Sequence, residues 1–148
     1  AQQFAHVNTQ AIVQSLPEFI KARGEVETQA KIYENDLQTM QQEIQKQMTA
    51  YEQGQATMSA TQKETKEKEL NELYQKAQQT AQDNQQALQK LQQEKLQPIL
   101  DKVRKAIQNV GKANKYVFVT ETEAMLYISD TLAKDITNEV KAELNKLK

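Results

Sequence analysis

The residues able to do chemistry are few and poorly partnered. The one histidine, His6, lies in a short β-compatible segment of a chain with no cysteine and no second histidine, so neither a metal set nor an acid–base pair assembles around it. A strand histidine packed at an interface is the ordinary reading. No Gly-rich phosphate cradle and no nucleophile elbow occurs, and isolated carboxylates on helical segments serve mainly to solvate them. The densest charged run, Lys63, Glu64, Lys66, Glu67, Lys68 and Glu69, alternates in sign and sets Glu64 four residues before Lys68, the pattern of a solvated helix start. These features argue against an enzyme and call for no cofactor. The side chains with something to offer are soft ones: Met40, Met48, Tyr51 and Met58, followed by Leu70, Leu73 and Tyr74. Methionine is flexible and polarizable and tyrosine joins an apolar face to a polar end, so together they can repack around varied partners. Filling a seam between two helices is the plainer role for Met40, Tyr51, Leu70 and Tyr74, whereas Met58 is expected to face solvent at a bend.

The elements that must carry these residues are mostly helical. Thr9 to Leu16 reads as a brief helix stopping before Pro17, which suits the first turn of the next because its missing N–H is not needed there. From Glu18 a heptad runs on: Phe19, Val26, Tyr33 and Met40 fall seven apart, and Ala30, Leu37, Ile44 and Tyr51 form the second series, with Arg23 and Gln47 also in seam slots. Gly54 to Ala60 breaks the pattern, and Thr61-Gln62-Lys63-Glu64 has the form of a capping box. In the second helix Leu70, Ala77, Asn84 and Leu91 form one seam series, and Tyr74, Ala81, Leu88 and Lys95 the other. Glutamine, used roughly two dozen times, crowds Gln75 to Gln97 and leaves this seam thin and pliable. Beyond Pro98, expected to kink the rod, Ile99, Val103, Ile107 and Val110 restore an apolar stripe up to Gly111, a plausible C-cap.

Two helices of similar length with one short break fold most economically as an antiparallel hairpin. Arms of ~35–45 residues reach roughly 50–65 Å. The ends differ in character. Phe4 to Asn8, Tyr116 to Val119 and Met125 to Ile128 read as strands, with Thr120 to Glu123 as the turn between the last two, and from about Asp135 an amphipathic helix presents Ile136, Val140, Leu144 and Leu147. The expected organisation is mainly α with a small β part: residues 1–16 and 111–148 form a β-rich base with a C-terminal helix, and 17–110 a helical hairpin arm with its tip near 54–61. Such a base is too small to anchor a long lever alone. Association of several copies, burying Phe4, Val7, Val117, Val119, Met125 and Tyr127, would complete it.

Composition agrees with an elongated helical molecule. Only 38% of the 148 residues are hydrophobic and 5% aromatic, lean for a compact core, yet the regular periodicity and the scarcity of Pro and Gly argue against disorder. The net charge of -1, with both signs interspersed, gives no electrostatic case for nucleic acid. No run approaches the ~18 apolar residues of a membrane span, so no stable membrane insertion is expected. The start, Ala1-Gln2-Gln3, lacks an initiator Met and has the look of a chain trimmed after a small-residue signal cleavage site, though a sequence cut at any other boundary looks the same.

Several short segments at the ends also carry a resemblance. Ala5-His6-Val7-Asn8, Ser15-Leu16-Pro17-Glu18, Tyr116 to Val119, Leu126-Tyr127, Ser129-Asp130 and Asp135-Ile136-Thr137 follow, in this order, the pattern of the Skp/OmpH family of periplasmic chaperones. The resemblance implies a homotrimer in the periplasm whose three helical arms surround a cavity that holds unfolded outer-membrane proteins without nucleotide. The best-known members of that family are strongly basic where this chain is nearly neutral, so no lipopolysaccharide site is carried over. Two other architectures compete. A prefoldin-like subunit places its strands between the helices, whereas here they flank them. A structural or tethering coiled-coil spacer fits the arms equally well; Met and Tyr near the tip and the family-like ends favour the chaperone.

Overall fold

The computed structural model describes residues 3–147, so Ala1 and Gln2, part of the start read above as trimmed, lie outside it. The elements in order are β1 (Phe4–Val7), α1 (Thr9–Ser15), α2 (Pro17–Gly54), α3 (Ala60–Ala113), β2 (Val119–Glu121), β3 (Ala133–Asp135) and α4 (Thr137–Lys146), with single 3-10 turns at Gln55–Thr57 and Thr122–Ala124. The expected class, mainly α with a small β part, is the one observed. The chain divides into two compact units, one built from residues up to Gly24 together with those from Gln92 onward, the other from Glu25 to Leu91.

The first unit holds all the fully buried apolar side chains among the described residues. Ala5 and Val7 face inward from β1 and meet Ile12, Val13 and Leu16 from α1 and its end, Ile99, Val103, Ala106 and Val110 from α3, and Ile136, Val140 and Leu144 from α4 and its start. The α3 contribution recurs at intervals of three and four, one stripe of a helix, with Ala106 fully inside and Ile107 at its margin. Because Phe19, Ala22 and Leu96 also pack on this core, parts of both long helices that the sequence reading assigned to the arm belong to the same unit as the sheet.

The sheet differs from expectation. Its order is β2-β1-β3, with both outer strands parallel to β1, in the registers Ala5↔Val119 and Phe4↔Ala133. Parallel neighbours need crossovers, which here are the helices between β1 and β2 and the segment 122–132 between β2 and β3. The expected strand at Met125 to Ile128 and the turn before it are therefore corrected: part of that turn is β2, and the third strand is Ala133–Asp135. β propensity favoured the first segment, but Ala133–Asp135 leads straight into Ile136, Val140 and Leu144, and their burial fixes which segment pairs.

Polar groups clip the rim of this unit. The Asn8 side chain accepts from the Ala11 N–H at 3.0 Å and caps α1. The Glu121 carboxylate accepts from the Thr9 N–H at 2.9 Å and its hydroxyl at 2.5 Å. Asp135 Oδ1 accepts from the Thr137 N–H at 3.0 Å and its hydroxyl at 2.6 Å, while Thr137 Oγ1 accepts from the Asn8 N–H at 3.2 Å. The Thr137 hydroxyl first, then its N–H, holds the Asp135 carboxyl below the usual carboxylate range.

Two helix termini also depart from expectation. α3 continues through Pro98 and past Gly111, and the left-handed residue that stops it is Lys115, with φ 58°. Gly111 lies one turn earlier, inside the helix, so it is not the C-cap. At the other end the reciprocal cap is Ser59 with Gln62, two residues before the predicted box: the Ser59 N–H donates to Gln62 Oε1 at 2.9 Å and the Gln62 N–H to Ser59 Oγ at 3.1 Å. Serine and glutamine fill the same roles as the predicted threonine and glutamate, and the end of the 3-10 turn at Thr57 determines which pair is in place.

Candidate functional site

Between Glu25 and Leu91 no side chain is fully buried. The first seam forms as its spacing predicts. Val26, Ala30, Tyr33, Leu37, Met40, Ile44, Gln47 and Tyr51 are all half-buried, at alternating steps of three and four. In the neighbouring unit Ala22, rather than the exposed Arg23, faces the core.

The facing seam in α3 forms at seven of its eight expected positions, Leu70, Ala77, Ala81, Asn84, Leu88, Leu91 and Lys95 all being half-buried. Leu73 is half-buried as well, while Tyr74, expected inside, is 56% exposed. The departure is local: the aliphatic Leu73 takes the inner place next to Leu70, and the seven-residue repeat holds beyond it. The helices in this unit run antiparallel. The Tyr51 hydroxyl donates to Glu67 Oε1 at 2.5 Å, and Leu37 and Ile44 of α2 share an open groove of about 260 Å³ with Tyr74, Ala77 and Ala81 of α3. The Glu67 carboxylate, accepting that bond, holds the Tyr51 phenol above its ordinary value.

Of the soft residues singled out in the sequence, Met48 and Tyr74 are the ones on the surface, Met48 being 43% exposed, and Met40, Tyr51, Leu70 and Leu73 sit half-covered in the seam. Met58, expected to face solvent at the bend, is half-buried. Its terminal methyl lies 3.4 Å from where a Cβ on Gly54 would stand, so the side chain is folded back over the glycine.

In the other unit an apolar surface is left open beside the sheet. Val117, Phe118, Met125, Leu126, Tyr127 and Leu132 are all exposed, Leu126 completely. The rings of Phe4 and Phe118 meet at 5.1 Å, and they line with Met125 and Tyr127 a groove of about 210 Å³ on the outer face of β1. His6 points to this face, its Nδ1 2.7 Å from the Thr122 hydroxyl. Val119 is half-covered, and Val7 is only 2% exposed, buried by its own chain. Val7 therefore cannot contribute surface to a second copy, because odd and even positions of a strand face opposite sides and its side is the core. Phe118, Leu126 and Leu132 were missed in the sequence. Large apolar residues in a segment without an alternating pattern were the available signal.

Comparison with known proteins places this architecture. Residues 3–144 match the family model described as outer membrane protein (OmpH-like). The protein named chaperone protein Skp from Pectobacterium atrosepticum is 29% identical over 144 residues, 95% of this chain and 84% of its own, and the protein of that name from Yersinia enterocolitica gives the same figures. A crystal structure from Caulobacter crescentus CB15, described as an OmpH-like outer membrane chaperone, aligns with TM-score 0.85 and 18% identity over 99% of this chain and 85% of that chain, a likeness of fold. With the family model spanning nearly its whole length, the chain belongs to the OmpH-like outer membrane protein family.

Proposed function

We propose that this chain is a subunit of an ATP-independent holdase chaperone that keeps unfolded outer-membrane proteins from aggregating in the periplasm. Its relatives from Pectobacterium and Yersinia bear the name chaperone, which supports the chaperone role itself. The observation that carries the finer reading is the uncovered apolar surface of a helical unit without one fully buried side chain, where Met48 and Tyr74 stand out and Met40, Tyr51, Met58, Leu70 and Leu73 are half-covered. Many weak contacts of this kind exchange readily, and a client leaves when a better destination appears.

In this reading residues 17–110 serve as the arm and three copies associate through the ends of the chain. Phe4, Val117, Val119, Met125 and Tyr127 form the subunit contact, widened by Phe118, Leu126 and Leu132. Contiguous exposed apolar residues on a soluble unit are the usual mark of an interaction surface. Sedimentation equilibrium at micromolar concentration is expected to give three times the 17.0 kDa chain mass. A single monomeric species would defeat the trimer.

The function is tested by diluting a urea-unfolded outer-membrane β-barrel protein into buffer with the purified protein and following turbidity with and without ATP. Suppression near one trimer per client, indifferent to nucleotide, is the expected result. No suppression at several-fold excess would leave the coiled-coil spacer as the better account.

A further inference from the structure

The chain has no cysteine, so its only sulfur atoms are those of four methionines. Among side chains, thioethers are then its foremost targets for two-electron oxidants. Met58 differs from the other three in what it holds in place. α2 ends at Gly54, one 3-10 turn follows, and the Met58 N–H closes that turn on the Gln55 carbonyl at 3.2 Å. The side chain then lies back over Gly54, its terminal methyl 3.4 Å from where a Cβ there would stand. Beside it the Thr57 hydroxyl donates to the Gly54 carbonyl at 3.0 Å, and the Ser59–Gln62 cap starts α3. Met58 also lines an open groove of about 510 Å³ with Thr61, Gln62 and Lys66, so a small solute reaches its side chain from solvent.

We propose that Met58 is a reversible oxidation site whose conversion to the sulfoxide opens the hairpin tip. With hydrogen peroxide, the sulfur lone pair attacks one oxygen, the O–O bond breaks and an S–O bond forms. Sulfur gives up two electrons, the peroxide is reduced, and the departing oxygen collects the protons and leaves as water. A hypohalous acid transfers its oxygen in the same way and leaves as halide and a proton. The sulfoxide oxygen is a strong acceptor that cannot stay unpaired against the glycine. It turns toward the solvated side of the groove, where Lys66 stands 3.4 Å from Glu69, and carries the methyl off Gly54. The 3-10 turn loses this apolar contact, and the flanking helix ends fray. A methionine sulfoxide reductase restores the thioether and with it the closed tip, two of its thiols giving two electrons and two protons to become a disulfide while the oxygen leaves as water.

The test treats the intact protein with hydrogen peroxide, locates added oxygen by peptide mass spectrometry and reads amide exchange over residues 52–63. In the fraction oxidised at Met58, exchange there is expected to rise about tenfold and to return after sulfoxide reductase. The variant Met58→Leu stays apolar and cannot be oxidised at this position, so its tip should not respond even though Met40, Met48 and Met125 still can be oxidised. If the leucine variant is already frayed before treatment, reversal by the reductase in the unsubstituted protein decides alone. The proposal is overturned if Met58 stays unmodified while Met48 is fully oxidised, if the oxidised tip exchanges no faster, or if Met58→Leu responds as the parent does.

Discussion

The Tyr116 N–H reaches back to the Gly111 carbonyl at 3.0 Å, closing the C-terminus of α3. The Lys115 N–H donates to the Lys112 carbonyl at 3.3 Å, and Lys115 itself takes the left-handed backbone, so the two bonds and this one angle form a Schellman stop with a lysine where glycine is preferred. A side chain at that φ costs about 1 kcal/mol. Lys115→Gly is therefore expected to raise unfolding stability by about 0.5–1 kcal/mol, and the β-branched Lys115→Val to lower it, in urea melts with unchanged slope.

Ile136 is fully buried where the chain passes from β3 into α4, and its N–H donates to the His6 carbonyl at 2.9 Å. Ile136→Ala should cost about 2–5 kcal/mol, since the pocket is walled by elements from both ends of the sequence. Tyr74→Ala, at an exposed ring, should change thermal stability by no more than about 0.5 kcal/mol. Equal losses from the two would contradict the location of the core.

The Asp135 carboxyl is held below its ordinary value of 3.8 by the Thr137 hydroxyl and N–H. A depressed folded-state value means that the ionised form favours folding. Its contribution is fully present above the unfolded value and fades as pH falls from about 4 through the folded one. Asp135→Ala should lose about 0.5–1 kcal/mol at neutral pH, and its stability should decline less than the parent's over that acid window. Chemical denaturation at a series of pH values measures both.

Gly24 sits inside α2, and a Cβ built on it meets nothing within 4 Å. No close approach demands a glycine here, and alanine has the higher helix propensity. Gly24→Ala should stabilise the helix by up to about 1 kcal/mol. Circular dichroism during thermal melting reads the gain, and a loss of stability would reveal a packing partner supplied by another copy.

Amide exchange should separate the two units. Residues 25–91 have no fully buried side chain, so their openings cost little, whereas β1, α4 and the 99–110 stretch of α3 share the core. Fast exchange in the first set and slow in the second is the expected pattern, and uniform protection along the chain would count against it.

Much of this molecule was legible as periodicity. The steps of three and four from Phe19 to Tyr51 determine which side of α2 is half-covered, and Pro17 and the apolar face of α4 set their helices, because helical contacts are local and the repeat encodes them directly. The cap was legible in kind but misplaced by two residues, since Ser59-x-x-Gln62 and Thr61-x-x-Glu64 carry equivalent chemistry. Tertiary packing alone decided the parallel sheet, the choice of Ala133–Asp135 over Met125–Ile128 as its third strand, and the burial of Val7. These depend on partners more than a hundred residues apart, which no local pattern records.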